Sequence, residues 1–166
     1  MGRACKTWRL WPACSAQRTK NPLSLGMGSV NHHTGNPTDD DLSAAEIHAS
    51  HQAQGWAGIG YHYVIRKDGT IEEGRPHWTI GAHAYGNNSH TIGIHVCGNF
   101  EIGQPTSKQI EATAMLLANV CDDYGMPIDA THVVGHRDLD STACPGTNLY
   151  DILQTIRGKA IWYQQN

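Results

Sequence analysis

Apolar and polar positions along the chain follow periods that predict strands. Over residues 23–30 apolar side chains alternate with small or polar ones, and this period of two predicts a strand. Residues 91–96 and 132–134 are more continuously apolar, which is typical of strands buried on at least one face. Residues 61–71 contain a strand, an Asp-Gly pair that favours a tight turn, and a returning strand. They therefore predict a hairpin.

The first predicted helix covers residues 43–54. Ser43 and Glu46 fit a capping box, in which each side chain satisfies a free backbone amide of the first turn. Gly55 should end this helix. His51 lies in its last turn, where a histidine interacts favourably with the helix dipole, so we interpret it as structural.

Two further helices are predicted in the second half of the chain. Thr106, with Gln109 three residues later, caps a helix that Gly125 closes. Its apolar stripe must cover a sheet and consists of Ile110, Ala114, Leu117, Cys121 and Tyr124. Apolar positions over residues 149–156 predict a final helix that ends at Gly158.

Strands and helices interleave along the chain, which predicts an α/β domain. The chain has 166 residues, of which 39% are hydrophobic, and this is enough for one core. Residues 1–22 show no clear period, and we interpret them as an N-terminal extension of unknown role. Residues 23–166 are then the single folded domain.

Charge and composition argue against several classes of partner. Twelve Lys and Arg against fifteen Asp and Glu give a net charge of -3, so no nucleic-acid partner is predicted. No apolar run approaches the roughly 20 residues that span a bilayer, so membrane insertion is not predicted. No secretory signal is readable, so we expect a protein that is cytoplasmic until release or is exported by another route.

Eleven histidines and five cysteines make metal ligation the sharpest interpretation of the composition. An odd number of cysteines leaves at least one unpaired. Cys5 and Cys14 could pair with each other, whereas Cys144 is expected to be reduced or metal-bound.

Three residues are candidate ligands of one zinc ion. His136 follows a predicted buried strand and Cys144 precedes a Pro-Gly pair, so both are rigidly held. A catalytic zinc site needs a third protein ligand and leaves the fourth place to water, and His32 at the end of the first strand is the natural candidate. His33 should point the other way.

The residues alone leave other interpretations open. Cys144 could be a buried structural thiol and His136 a hydrogen-bonded core histidine. His132 and His136 could form an alternative site. A purely structural zinc would need a fourth protein ligand, such as His33 or His132.

The sequence resembles the zinc-dependent N-acetylmuramoyl-L-alanine amidases of the amidase-2 type. This family shares a fold with animal peptidoglycan recognition proteins and with the amidase-type lysozymes of bacteriophages. The matching motifs fall in the family's order and are His32-His33-Thr34, His51 with Gly55-Trp56, Gly58-Ile59-Gly60-Tyr61-His62-Tyr63, Asp68-Gly69-Thr70, Gly81-Ala82-His83-Ala84, Ile92-Gly93-Ile94, Gly135-His136-Arg137 and Cys144-Pro145-Gly146. The resemblance implies a single α/β domain with a mixed central β-sheet flanked by helices.

The resemblance also implies roles for individual residues. It makes His32, His136 and Cys144 the zinc ligands and makes Tyr61 and Thr142 catalytic, with Thr142 helping to polarise the scissile carbonyl. The implied reaction is hydrolysis of the amide between the lactyl group of N-acetylmuramic acid and the first L-alanine of the stem peptide. A non-catalytic peptidoglycan-binding module of the same fold is the alternative, and the presence of all three ligands disfavours it.

Two residues are expected to bind the substrate, which the resemblance makes peptidoglycan. His83 matches a histidine that lines the groove in relatives. Trp78, with Trp56, would flank the groove because aromatic faces suit sugar rings, although core or rim packing explains a tryptophan equally well.

For the oligomeric state of the protein, a monomer is favoured.

Chemistry supports the implied zinc site. Two neutral imidazoles and one thiolate leave a net charge near +1, so zinc can lower the pKa of water to about 7. The hydroxyls of Tyr61 and Thr142 could stabilise negative charge on the carbonyl oxygen. Some relatives carry a glutamate in the strand at residues 94–97, but no carboxylate stands there in this chain. We therefore assign proton transfer to Tyr61 or to the metal-bound water network.

Overall fold

The structure, a computed structural model, describes residues 28–166. Three predictions fall wholly or partly outside the described residues. They are the extension over residues 1–22, the pairing of Cys5 with Cys14, and residues 23–27 of the first predicted strand.

A five-stranded sheet forms the centre of the domain, in the order β3-β2-β4-β1-β5. The strands are β1 Gly28–His33, β2 Tyr63–Ile65, β3 Ile71–Glu73, β4 Thr91–Val96 and β5 Val133–Gly135. β1 pairs in parallel with both β4 and β5, and β2 pairs in parallel with β4, whereas β2 and β3 form the antiparallel hairpin. The predicted mixed sheet and hairpin are confirmed.

The first strand differs from its prediction, because it continues past Val30 to His33. Parallel pairing with β4 continues to His33, and pairing with β5 continues to Asn31, so these strands satisfy backbone groups of the added residues. Asn31, which interrupts the apolar pattern, is buried and donates from Nδ2 to the Val134 carbonyl at 3.0 Å. Both histidines that follow therefore belong to the strand and point to opposite faces of the sheet.

The helices are α1 Ala44–Ala53, α2 Ser107–Tyr124, α3 Thr147–Tyr150 and α4 Leu153–Gln165. Ser43 and Thr106 each form the predicted capping box. Gly125 ends α2 in the left-handed conformation, with φ of 64°, which costs glycine no steric strain. These features of α1 and α2 confirm the predictions.

The final helix was predicted wrongly. The segment is divided into α3 and α4, and α4 passes through Gly158 to Gln165. Glycine inside a helix costs about 1 kcal/mol relative to alanine. Ile156 and Ala160 on either side of Gly158 are fully buried in the core that α4 shares with α2. Burial of these apolar groups offsets the cost and lets the helix continue.

Side chains from the two faces of the sheet form separate cores. Ile92, Ile94 and Val96 of β4 belong to the larger core, together with residues of α2 and α4. The smaller core contains Ile47 of α1 and Val64 of β2. No helix within residues 28–166 is both long and apolar enough to cross a bilayer.

Candidate metal centre

Three side chains from separate parts of the chain meet at one edge of the sheet. His32 lies near the end of β1, and His136 directly follows β5. Because β1 and β5 are parallel neighbours, their carboxyl ends lie at the same edge. Cys144 returns to this edge through the loop after His136, where the Arg137 amide donates to the Cys144 carbonyl at 2.8 Å.

The potential ligand atoms of His32, His136 and Cys144 all lie within 4.8 Å of one another. Nδ1 of His32 is 3.6 Å from Sγ of Cys144, and the centroids of the two imidazole rings are 4.5 Å apart. Nε2 of His136 is buried without a hydrogen-bond partner. An unpartnered buried nitrogen is costly, and a metal ion would satisfy it. This donor set fits zinc, which favours imidazole and thiolate ligands.

Burial keeps both imidazoles uncharged. It holds the pKa of His32 well below the usual value, and the neighbouring His83 and His136 lower it further. Burial also lowers the pKa of His136, against an opposing effect of Asp140. The pKa of the Cys144 thiol is raised by burial to about 11, so a nearby cation is needed to hold it as thiolate at neutral pH. Neutral imidazoles and a cation-dependent thiolate suit a metal centre.

The alternative ligands considered from the sequence have other partners. Nδ1 of His33 accepts a hydrogen bond from the Phe100 amide at 3.1 Å. His132 precedes β5, and its Nδ1 lies 2.7 Å from the Asp129 carboxylate. Among residues 28–166, His32, His136 and Cys144 form the only group of three or more His, Cys, Asp or Glu residues arranged to hold a metal ion. Three protein ligands leave one tetrahedral position for water or substrate.

Two hydroxyl-bearing residues lie beside this centre. The ring of Tyr61 contacts those of His32 and His95, with centroid distances of 5.2 and 4.7 Å. Burial raises the pKa of Tyr61 far above its usual value, so its phenol stays protonated and can donate a hydrogen bond. Oγ1 of Thr142 accepts from the Cys144 amide at 3.1 Å, which leaves its hydroxyl hydrogen available to another acceptor.

The two residues predicted to bind substrate occupy different environments. His83 is only 8% exposed, and its Nδ1 lies 3.0 Å from Nε2 of His32. Trp78 is 79% exposed in the segment between β3 and β4, so it does not pack in the core. Trp56 is 43% exposed, and its ring contacts that of His51. Substrate contact by His83 and Trp78 stays a prediction.

Sequence reasoning missed the polar residues that hold His83. Oδ1 of Asn88 accepts from the His83 amide at 2.7 Å, and Oγ1 of Thr91 lies 3.4 Å from the ring atom Nε2. Both residues follow His83 closely, but Asn and Thr are common polar residues and gave no signal of this role. The structural interpretation of His51 agrees with its contact, since Nδ1 accepts from the Gly60 amide at 3.0 Å.

Fold and site together define an α/β domain with a His-His-Cys group at one edge of a mixed sheet. Residues 27–147 match the family model described as N-acetylmuramoyl-L-alanine amidase. The chain belongs to this family, and the enzyme class predicted from the sequence motifs is confirmed.

Two curated relatives represent the animal members. Peptidoglycan-recognition protein SC2 of Drosophila melanogaster is 38% identical over 153 residues, which cover 89% of this chain and 82% of the relative. The N-acetylmuramoyl-L-alanine amidase of Homo sapiens is 35% identical over 155 residues. That match covers 87% of this chain but only 27% of the human protein.

Solved structures share the fold. The N-acetylmuramoyl-L-alanine amidase LysC from Clostridium intestinale superposes with a TM-score of 0.72 at 33% identity, covering 82% of this chain and 87% of LysC. A mutant of Drosophila PGRP-LB in complex with tracheal cytotoxin superposes with a TM-score of 0.68 at 27% identity, covering 78% and 80%. The family therefore includes both amidases and recognition proteins.

Proposed function

We propose that this protein hydrolyses the amide bond between N-acetylmuramic acid and the first L-alanine of the peptidoglycan stem peptide. The observation that carries the proposal is the three-ligand group of His32, His136 and Cys144, which leaves one coordination position open. Structural zinc sites are closed by four protein ligands, whereas catalytic sites keep such a position. Membership of the amidase family supports the same reaction.

The chain's own residues fit zinc as the cofactor. His32 and His136 would supply neutral nitrogens, and Cys144 would supply the thiolate that the cation stabilises. When bound, zinc supplies Lewis acidity that polarises a carbonyl and acidifies water.

Tyr61 and Thr142 would bind the carbonyl oxygen as negative charge develops on it. Each has a hydroxyl hydrogen to donate, and one preorganised donor is typically worth roughly 3 kcal/mol of transition-state stabilisation. Because its pKa is raised, Tyr61 acts as a donor and not as a base at neutral pH. No carboxylate stands at residues 94–97 of the sheet, and ionised Tyr61 is disfavoured by burial, so we assign delivery of a proton to the leaving nitrogen to ordered solvent.

Peptidoglycan is the proposed partner. The exposed rings of Trp78 and Trp56 offer apolar faces against which sugar rings can pack. We propose that the amidase domain covers residues 23–166 and acts at the cell wall. The family match over residues 27–147 and the extension of α4 to Gln165 support these bounds.

A recognition module without activity is the second candidate. The similarity to peptidoglycan recognition proteins, one of them in complex with tracheal cytotoxin, favours it. The intact metal-ligand group favours catalysis, because binding of a wall fragment alone does not require an open zinc site.

The first experiment measures release of new L-alanine amino termini from purified peptidoglycan. The protein is assayed as isolated, after chelation, and after zinc is restored. We expect termini to appear, to vanish with the chelator and to return with zinc. Zinc-loaded protein that binds the wall but releases no termini would instead support the recognition module.

Matched histidine variants make the test specific to the site. His136→Gln should abolish release, since it removes one ligand. His132→Gln should keep it, because His132 contacts Asp129 and lies at the other end of β5. Loss of activity in both variants would instead favour the alternative site formed by His132 and His136.

A further inference from the structure

Hydrogen bonds link a backbone carbonyl to the metal centre through the buried His83. Oγ1 of Thr91 donates to the Asn87 carbonyl at 2.7 Å. The same oxygen lies 3.4 Å from Nε2 of His83, and Nδ1 of His83 lies 3.0 Å from Nε2 of His32. Nδ1 of His32 then faces Sγ of Cys144 at 3.6 Å. Both ring nitrogens of His83 and both ring nitrogens of His32 therefore take part in one series of contacts.

This series fixes where each proton lies. A threonine hydroxyl has one hydrogen, and Thr91 uses it on the Asn87 carbonyl, so its oxygen can only accept from His83. His83 then carries its proton on Nε2 and presents a lone pair on Nδ1. His32 must donate from Nε2 to that lone pair. The lone pair of His32 Nδ1 is left pointing towards Cys144 and the metal centre.

We propose that His83 is a positioning residue that holds His32 in the tautomer and ring orientation needed to ligate zinc through Nδ1. Second-layer partners of this kind orient metal-binding histidines and fix their tautomer. The inference rests on the proposed zinc site, and it gives His83 a role that needs no contact with the substrate. Its 8% exposure agrees with that role.

Two glycines make room for the His83 ring. A Cβ on Gly93 would lie 2.5 Å from Cγ of His83, and a Cβ on Gly81 would lie 2.5 Å from Cδ2. Any side chain at either position would therefore displace the imidazole. Asn88 fixes the backbone at the same place, since its Oδ1 accepts from the His83 amide. Both the ring and its backbone are thus held in position behind His32.

The first test observes tautomers directly in the metal-free full-length protein. Long-range proton–nitrogen NMR spectra at neutral pH distinguish a histidine protonated on Nε2 from one protonated on Nδ1. We expect wild-type His32 and His83 both to carry the proton on Nε2. A His32 ring protonated on Nδ1 would overturn the proposal without any variant.

The second test measures zinc affinity by competition with a chromogenic chelator. His83→Leu keeps the bulk but removes the acceptor, and we expect zinc binding to weaken by about 10- to 100-fold. His83→Asn places an amide oxygen near the position of Nδ1, so it should recover most of this loss. Equal affinities of the Leu and Asn variants would contradict a hydrogen-bonding role.

Thr91→Val gives a milder variant in case His83→Leu does not fold. It removes the oxygen that faces Nε2 of His83, so the NMR spectra should show His83 partly protonated on Nδ1. Unchanged tautomers in this variant would overturn the series of contacts. These readouts do not depend on peptidoglycan, so the amidase assay can fail while the positioning role stands.

Discussion

Arg157 ties α4 to the strand that leads into the metal centre. The side chain is only 9% exposed, and its Nε and Nη2 donate to the Val133 carbonyl at 2.9 and 2.7 Å. Val133 begins β5, the edge strand that His136 directly follows. Arg157→Met keeps most of the apolar stem but removes both donors. We expect this variant to unfold more easily.

The magnitude follows from the two hydrogen bonds. A hydrogen bond from a charged donor contributes roughly 1.5–3 kcal/mol, and the two donors here share one acceptor oxygen. Their removal also leaves a buried carbonyl unsatisfied, and recovered apolar contact of Met offsets part of the cost. The free energy of unfolding should therefore fall by about 2–4 kcal/mol. With a urea m-value of about 2 kcal/mol per M, which is typical of a small domain, the midpoint should fall by about 1–2 M.

Urea unfolding followed by far-UV circular dichroism measures this change. Lys159→Met is the matched control on the same helix, because Lys159 pairs with Glu111 at the surface, where both side chains are 41% exposed. An exposed pair of this kind contributes about 0–1 kcal/mol. If Arg157→Met and Lys159→Met shift the midpoint equally, the assignment of Arg157 as a buried anchor is wrong.

Three further predictions concern the site and its surroundings. Free zinc at about 100 times Kd should stabilise the protein by about 2.7 kcal/mol in thermal unfolding, and Cys144→Ser should lose this effect. Tyr61→Phe should lower kcat by about 10²–10³-fold and leave zinc affinity unchanged; full activity would remove Tyr61 from the mechanism. Burial lowers the pKa of His95 to about 3, so the unfolded state binds more protons below about pH 6.5. The contribution of His95 to stability should then fall from about pH 7 to about pH 5 by up to about 1.4 kcal/mol per pH unit, and a His95→Gln variant with the same slope as the wild type would contradict this.

Local chemistry made several elements predictable. The capping boxes at Ser43 and Thr106 depend only on residues three positions apart. The hairpin between β2 and β3 depends on the Asp-Gly pair between them. Such short-range signals are complete within a few residues, so the structure reproduces them.

Long-range packing explains what the sequence pattern missed. Gly158 is a helix breaker by propensity, but burial of Ile156 and Ala160 overrides this preference. β1 extends to His33 because β4 pairs with it over its whole length, and no local pattern shows which strands will be neighbours. The hydrogen bond between His83 and His32 likewise depends on a fold that brings distant segments together.

The same topology explains why the metal ligands were easier to predict than the residues that hold them in position. Each ligand is chemically distinctive, so His32, His136 and Cys144 were identifiable by residue type and by motif. The groups that hold His83 behind His32 are a threonine, an asparagine and a backbone carbonyl, which are common in any protein. Only the position of β4 next to β1 turns them into a scaffold for a metal ligand. A metal centre can thus be located from its ligands alone. The tautomer that lets a histidine bind the metal depends on which segments the sheet brings next to that histidine.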